Sequence, residues 1–596
     1  MKTTRPALIA LLVMSTSCLP GEDASALPPE AQKIVDKAEA AIAAVSTATD
    51  AQVGKLKAQE AKDLQRLLEA ALKKKDQAVA DLIKQRIDAI GADASDSGGG
   101  GKAGAAGALG SLGFHPSTDH PIGWRGDGSG RYPGATPPTS WSSKRGGESK
   151  NIIWTSALPN VGVSMPIIVG DRIFLTTEPC DLVCLDKKSG NVLWIRSNPE
   201  FEGMSKDDRK DSTVYAEKLD PLLPQLAQAN EAAVAALNSQ KDAAGGSMGK
   251  KREIEKQIND LQLSIDKKKF ERYWGQAVFG FAGPTATSDG KHVCAFYTTG
   301  VAACYDLNGN RKWIARGPGG GAEHGNFASP VLGANRMVVW ANEMRAYDVE
   351  TGKVAWSNPA KGNNSYGSCF RLQLGPDLVA GFQFGWFNRI SDGKAIWGDG
   401  IFGDAVATPI VEGDTLYADV GYPRNGEGLG FKAFKLPAST DGKPSPAFTF
   451  KTDWAADEVP VEDKKAPFNR GFVASPLFVD GLIYRMTEGG GLIVNDAATG
   501  SMLYRKVLPM QPKTEYWGWA GAATSPTLAG KYIYLMDNQG TTIVIQPGPK
   551  YNQVASNVIE VSKNGKDQEQ NVSTPVFEGT RMYYRTPSAL YCIGEK

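Results

Sequence analysis

Long apolar runs are missing from the body of this 596-residue chain, so no transmembrane helix is expected there. Cysteine is scarce as well. Seven residues make no disulfide scaffold, and no Cys-x-x-Cys or Cys-x-x-Cys-His occurs, which removes zinc-ribbon and c-type haem readings. The four histidines, His115, His120, His292 and His324, are too few for a multi-histidine metal centre, so no metal site is expected. Net charge is absent too. With 66 Lys+Arg against 65 Asp+Glu the balance is +1, without the basic excess that nucleic-acid binding calls for. Nor is there a phosphate loop. Gly126, Gly128 and Gly130 match one only in glycine count, and Gly249-Lys250-Lys251 lacks both the earlier Gly and the Ser/Thr. What the chain has in excess is turn formers, 67 Gly and 35 Pro, above averages of roughly 7% and 5%.

The first residues are the exception to the missing apolar runs. Lys2 and Arg5 precede a short apolar stretch at 7–14, too short to span a bilayer, and residues 1–26 read as an export signal. Two processing sites compete. Ser15-Thr16-Ser17-Cys18 lies where a lipoprotein box would, making Cys18 a lipidation candidate, but Ser15 stands where an aliphatic residue is usual. Ala24-Ser25-Ala26 has the small-x-small pattern of an ordinary signal-peptidase site, yet lies far from the apolar stretch. Either way the chain is expected in the periplasm or at the outer membrane, touching a membrane only through such an anchor.

Residues 27–93 are rich in Ala, Lys, Glu, Gln, Asp and Leu, and Val53, Leu56, Leu64, Leu68, Leu72, Val79, Leu82, Ile83, Ile87 and Ile90 recur at helical spacings. This predicts a helical segment, either a stalk or a partner-binding coiled coil. Residues 94–119, rich in Gly, Ala and Ser, read as a flexible linker. A second charged stretch at 205–272 breaks at Gly245-Gly246 and carries the stripe Ile254, Ile258, Leu261, Ile265, Phe270 on its second arm. It predicts a helical hairpin inserted into a larger host.

The host is a repeat. One element is Ser/Thr-Pro followed by an apolar run and a turn: Met165-Pro166, Gly283-Pro284, Ser329-Pro330, Thr408-Pro409, Ser475-Pro476, Ser525-Pro526 and Thr574-Pro575, with Ser368-Cys369 filling the one long gap. A second element follows in phase, an Asp, a turn ending in Gly, then a strand closing on Trp: Asp186/Gly190/Trp194, Asp306/Gly309/Trp313, Asp348/Gly352/Trp356, Asp392/Gly393/Trp397, and Asp496/Gly500 with Tyr504 in place of Trp. Periods of 40–50 residues with about four strands each predict radial stacking of blades. Asn151-Ile152-Ile153-Trp154 is a last strand with no unit before it, whereas the final unit ends at Ile593 without its Trp strand. The first should complete the last and remove the open edge. The fold class is therefore all-β, an eight-bladed β-propeller over residues 120–596, with the hairpin leaving after blade one.

These repeats, with Trp124-Arg125-Gly126 and Gly130-Arg131-Tyr132-Pro133, resemble the pyrroloquinoline-quinone-like (PQQ-like, quinoprotein-type) β-propeller proteins over residues 120–596. That repeat family includes the outer-membrane assembly factor BamB and the quinone-dependent alcohol dehydrogenases. The resemblance implies eight blades and says far less about function. The dehydrogenases carry a calcium site, a catalytic Asp, an aromatic floor under the quinone and a disulfide between adjacent cysteines. Here no two cysteines are adjacent. Cys184, Cys304 and Cys592 share one blade position and read as buried structural thiols, whereas Cys294 and Cys304 flank a hairpin and are the pair that a cross-strand disulfide could join. The blade-end Trp residues read as inter-blade packing rather than a cofactor stack.

Residues just before each Ser/Thr-Pro should lie at one mouth of the axial channel. They give a candidate ligand set of Glu323, His324, Asn326, Asp404, Asn469, Arg470, Trp519 and Asn571, with no catalytic residue assigned. The residues favour an exported, non-catalytic scaffold in the cell envelope with envelope proteins as partners and no cofactor, outer-membrane protein assembly being the process the BamB resemblance implies. The alternative is a PQQ- and calcium-dependent dehydrogenase, or another propeller enzyme, with a degenerate quinone site.

Overall fold

A computed structural model describes residues 107–144, 148–210, 212–239, 246–272, 280–317, 327–359, 366–397, 401–402, 406–420, 430–451, 473–513, 522–560 and 569–595. The export signal, Cys18, the helical segment 27–93 and most of the predicted linker lie outside them. The chain divides after Gly107, and the repeats all belong to the unit that begins at Ala108.

Eight antiparallel sheets follow one another along the chain. Blade 1 is built of Ile167–Val169, Arg172–Thr177, Asp181–Asp186 and Val192–Ser197, and blade 2 of Thr287–Ser288, His292–Phe296, Val301–Asp306 and Arg311–Arg316. Blades 3 to 7 begin at Val331, Phe370, Ile410, Leu477 and Thr527. Blade 8 takes three strands from the end of the described chain, Val576–Glu578, Arg581–Arg585 and Ala589–Ile593. Its fourth is Ile152–Ala157, which pairs antiparallel with Ala589–Ile593. The unpartnered first strand thus closes the ring. Each sheet has a neighbour on both faces, so its middle strands need apolar side chains at every position rather than at alternate ones. All five residues of His292–Phe296 are buried.

Two sequence expectations shift by a few residues. Blade 2 opens at Thr285-Ala286 and not at Gly283-Pro284: the first strand begins two residues after Thr285, as it begins two after Ser329 in blade 3. Pro284 merely precedes the position its neighbours occupy. Residues 108–119, predicted as linker, belong with the propeller. Leu109 and Phe114 pack against its core although the composition around them is Gly- and Ala-rich.

The two halves of the repeat meet between blades. The Trp of one blade lies on the Asp-turn Gly of the next: Trp154 on Gly190, Trp194 on Gly309, Trp313 on Gly352 and Trp356 on Gly393. At Gly352, with φ of +67°, an added Cβ would lie 2.5 Å from the Trp313 ring. Trp313 also donates its Nε1–H to Val349 O at 2.7 Å, and Trp356 to Ile390 O at 2.9 Å. Phe448 takes the same place against Gly500. The turn Asp is a local clamp. Asp186 accepts from Ser189 N and Oγ at 2.7 and 2.6 Å, and the hydroxyl holds its carboxyl below the usual range.

Blade 1 carries the predicted insertion. Its arms are helices Leu222–Ser239 and Gly246–Ile265. With Phe201, Met204, Tyr215 and Phe270 they form a small core of their own. The first arm covers the outer edge of blade 1, where the Asn238 amide receives Val192 N–H at 2.8 Å and donates to Val192 O at 2.9 Å. This side chain stands in for a neighbouring strand. Glu200 and Glu202 pair with Arg316 and Arg311, fixing the start of the insertion to blade 2.

Trp313→Ala is expected to cost about 3–5 kcal/mol, as for other buried large-to-small changes. Denaturant unfolding should show it as a lower midpoint, and a loss below about 1 kcal/mol would contradict the interlock.

Candidate functional site at the axial channel

The repeated Ser/Thr has a task of its own. Its hydroxyl accepts the backbone N–H at the same position of the preceding blade. Met165 N donates to Thr285 Oγ1 (3.1 Å), Thr285 N to Ser329 Oγ (3.0 Å), Ser329 N to Ser368 Oγ (3.4 Å) and Ser368 N to Thr408 Oγ1 (2.8 Å). Thr408 N then donates to Ser475 Oγ (2.9 Å), Ser475 N to Ser525 Oγ (3.0 Å) and Ser525 N to Thr574 Oγ1 (3.2 Å). The series stops at blade 1, where Met165 has no hydroxyl. There blades 8 and 1 are joined by bonds of another kind, Arg585 donating Nη1 to Ser164 O (2.8 Å) and Nη2 to Thr176 O (2.8 Å), while Ser573 Oγ donates to Ser164 O (3.1 Å). Desolvation pushes the buried Arg585 guanidinium down to about 9.

The channel inside this ring contains the chain's own polypeptide. Ile122 bridges to Ser288 of blade 2, Arg131–Tyr132 adds a short parallel strand to Leu528–Ala529 of blade 7, and Arg131 pairs with Glu412 of blade 5 at 2.8 Å. A segment that meets the innermost strands of opposite blades lies on the axis. Its centre is Arg125, fully buried, with Nη1 donating to Pro476 O (2.9 Å) and Nη2 to Pro526 O (2.8 Å). Desolvation lowers this guanidinium to about 10. Beside the segment a cavity of about 30 Å³, lined by Leu109, Phe114, Ile122, Tyr132 and Phe577, has room for about one water. The same stretch then runs to the outer rim of blade 7, where Ser142–Ser143 pairs with Val558–Ile559.

Of the polar set predicted for the channel mouth, Glu323, His324, Asn326, Asp404, Asn469, Arg470 and Trp519 lie outside the described residues. Asn571 is buried and serves its own loop: its Oδ1 accepts Ser573 N at 2.9 Å and its N donates to Asn538 O at 3.0 Å. Two described carboxylates at that end of the blades were not picked out by sequence. Glu178, in the turn between the second and third strands of blade 1, accepts Phe281 N and Ala282 N at 2.8 Å. Burial pushes its carboxyl up to about 7, against those bonds. Glu569 accepts the Ser588 hydroxyl at 2.8 Å. Only the position of these residues in the turns at that end of the blades could have signalled them.

Cys294 and Cys304 stand opposite one another in register and are joined in a disulfide, with Cα atoms 4.1 Å apart. Cys184, Cys304 and Cys592 each pair across strands with a blade-end Trp: Trp194, Trp313 and Trp154. Burial lifts the Cys180, Cys184, Cys369 and Cys592 thiols above their ordinary range, as suits structural residues. Among the described residues no three His, Cys, Asp or Glu side chains converge to hold an ion, and Arg125 fills the axis.

Two outcomes test this geometry. Thr408→Val leaves the Ser368 N–H without its acceptor and is expected to lower stability by about 1–3 kcal/mol, read from denaturant midpoints. Glu178 has a folded value above its unfolded one, so its contribution is full at low pH and is lost as pH rises towards about 7. Comparing wild type with Glu178→Gln between pH 5 and pH 8 should isolate this slope, and parallel curves would refute it.

No family model and no curated protein matches the sequence. Solved structures align with its fold. BamB from Moraxella catarrhalis aligns with TM-score 0.43 and 10% identity over 75% of this chain and 97% of that one. A computationally designed protein, Ika8, aligns with TM-score 0.40 and 8% identity over 74% and 98% of the two chains. Quinohemoprotein alcohol dehydrogenase from Comamonas testosteroni aligns with TM-score 0.41 and 12% identity over 75% and 76%. All three alignments are at low sequence identity.

Proposed function

We propose that this chain is an exported, non-catalytic propeller that acts as a binding scaffold in the cell envelope, with the helical insertion as its protein-contact element. The observation that carries the reading is the filled axis. Arg125 and the segment around it occupy the place where a propeller would hold a small substrate, which leaves outer surfaces for recognition. The insertion supports it. The hairpin has a core of its own and turns charged residues such as Arg252, Glu253 and Lys256 to solvent. The Cys294–Cys304 pair suits an oxidising compartment beyond the cytoplasm, as does the apolar, positively flanked start of the chain. Assembly of outer-membrane proteins is the process proposed for it, and Cys18 the anchor to be examined by lipid labelling.

The intact protein, used as bait in cross-linked envelope extracts, should recover a defined partner. The same bait with Arg252→Glu, Glu253→Lys and Lys256→Glu should lose it at least tenfold, a coupling of about 1.4 kcal/mol. Equal recovery by both baits removes the insertion from the reading. Tight stoichiometric binding of pyrroloquinoline quinone with calcium, accompanied by alcohol- or sugar-dependent dye reduction, would replace the scaffold by a dehydrogenase.

A further inference from the structure

Where the insertion meets blade 1, three ionisable side chains are shut away from water together. Lys251 of the second arm is 1% exposed, and its Nζ lies 2.7 Å from Oδ2 of Asp181, which is 0% exposed and begins the third strand of blade 1. Glu255, one helical turn on, is the second partner of the same ammonium and is 10% exposed. The other Asp181 oxygen, Oδ1, receives the Ser197 hydroxyl at 2.5 Å, and Ser197 is in turn held by Asn230 Nδ2 at 3.0 Å from the first arm. Met248 and Ile254 of the second arm and Ala233 of the first are buried as well. An amine, a carboxyl carbon, a proton carrier and an oxyanion donor thus converge from two elements 70 residues apart in sequence.

We propose that Lys251 and Asp181 form an intramolecular isopeptide bond that covalently fixes the helical insertion to the propeller. At rest the pair is ionic. Burial opposes the Lys251 charge, but Asp181 and Glu255 outweigh it. Moving one proton along the 2.7 Å contact from Nζ to Oδ2 gives a neutral amine facing a carboxylic acid, a change that a dry site makes far cheaper than water does. The Nζ lone pair then attacks Asp181 Cγ. Negative charge develops on Oδ1, where the Ser197 hydroxyl already points. Glu255 takes a proton from the nitrogen and returns it to the Oδ2 hydroxyl, which leaves as water. One C–N bond forms, one C–O bond breaks, Glu255 is regenerated, and neither oxidant nor cofactor is consumed. Burial raises the Glu255 carboxyl to about 7, which suits a group that must both accept and release a proton near neutrality. The fixed approach of Nζ to Cγ supplies the effective concentration that free amines and acids lack in water.

Intact-mass spectrometry of the purified full chain decides the matter. Wild type should weigh one water less than its processed sequence, and its digest should contain a branched peptide joining the Asp181 and Lys251 segments, uncut after Lys251 by trypsin. Lys251→Arg keeps the ion pair without the amine and should show its full mass. Glu255→Ala should also retain the water, with the circular dichroism of the propeller unchanged. A wild-type chain of full mass with no branched peptide overturns the proposal. Water loss that persists in Glu255→Ala overturns the proton-carrier role.

Discussion

A four-stranded sheet with two apolar faces cannot cover itself, and this requirement to be covered on both sides governs the rest of the molecule. The chain meets it by repetition. Several blades offer a large ring on one side and a glycine turn on the other, so that Trp313 against Gly352 and Trp356 against Gly393 are the same joint repeated. The circle then has to end where it began, and the hydrogen bonds of the inner ring show the cost of that join. The amide-to-hydroxyl series runs from Met165 to Thr574, and at its closure, between blades 8 and 1, a buried guanidinium joins the blades instead by donating to carbonyl oxygens. Arg585 thus ties the seam by donating to blade 1 carbonyls, where elsewhere a hydroxyl accepts an amide.

Polar chemistry inside this protein is therefore mostly architectural. Arg125 and Arg585 give up solvation to satisfy carbonyl oxygens that the radial arrangement leaves pointing inward, and burial lowers the proton affinity of both. An unpaired carbonyl in such a place would lose more than a hydrogen-bonded cation costs only if each guanidinium serves several acceptors, and both do. Lys251 differs in kind. It faces two carboxylates, and the excess acid at a dry junction is the feature that sets this site apart from the structural arginines.

Much of the fold was legible in sequence because both repeat signatures are joints. A hydroxyl-bearing residue ahead of every first strand but that of blade 1, and a glycine closing each Asp turn, persist where the apolar residues between them vary. The blade 2 start misleads for a local reason: Pro284 imitates the motif one residue before Thr285, and only the register with Cys294 and Val293 shows which residue leads the strand. Residues 108–119 mislead through composition, since glycine and alanine read as flexible while Leu109 and Phe114 are anchored in the core. The candidate site was far less legible. Asn571 was picked for its place before a strand, but a residue there first has to satisfy the backbone of its own loop, as its bond to Ser573 shows. Arg125 carried a motif whose role no spacing announces, because its partners Pro476 and Pro526 lie more than 350 residues away.

The closing strand also sets a schedule. Ile152–Ala157 emerges early from any N-to-C process, yet its partner Ala589–Ile593 comes among the last residues of the chain. Until then the early strand keeps a free edge, blade 8 does not exist, and the seam between blades 8 and 1 cannot be drawn shut. Loop-closure entropy for such a distant pair is met only after the intervening blades have stacked. A ring whose first strand and final repeat share one sheet closes only when both are present, and the waiting strand has to be shielded from other edges until then.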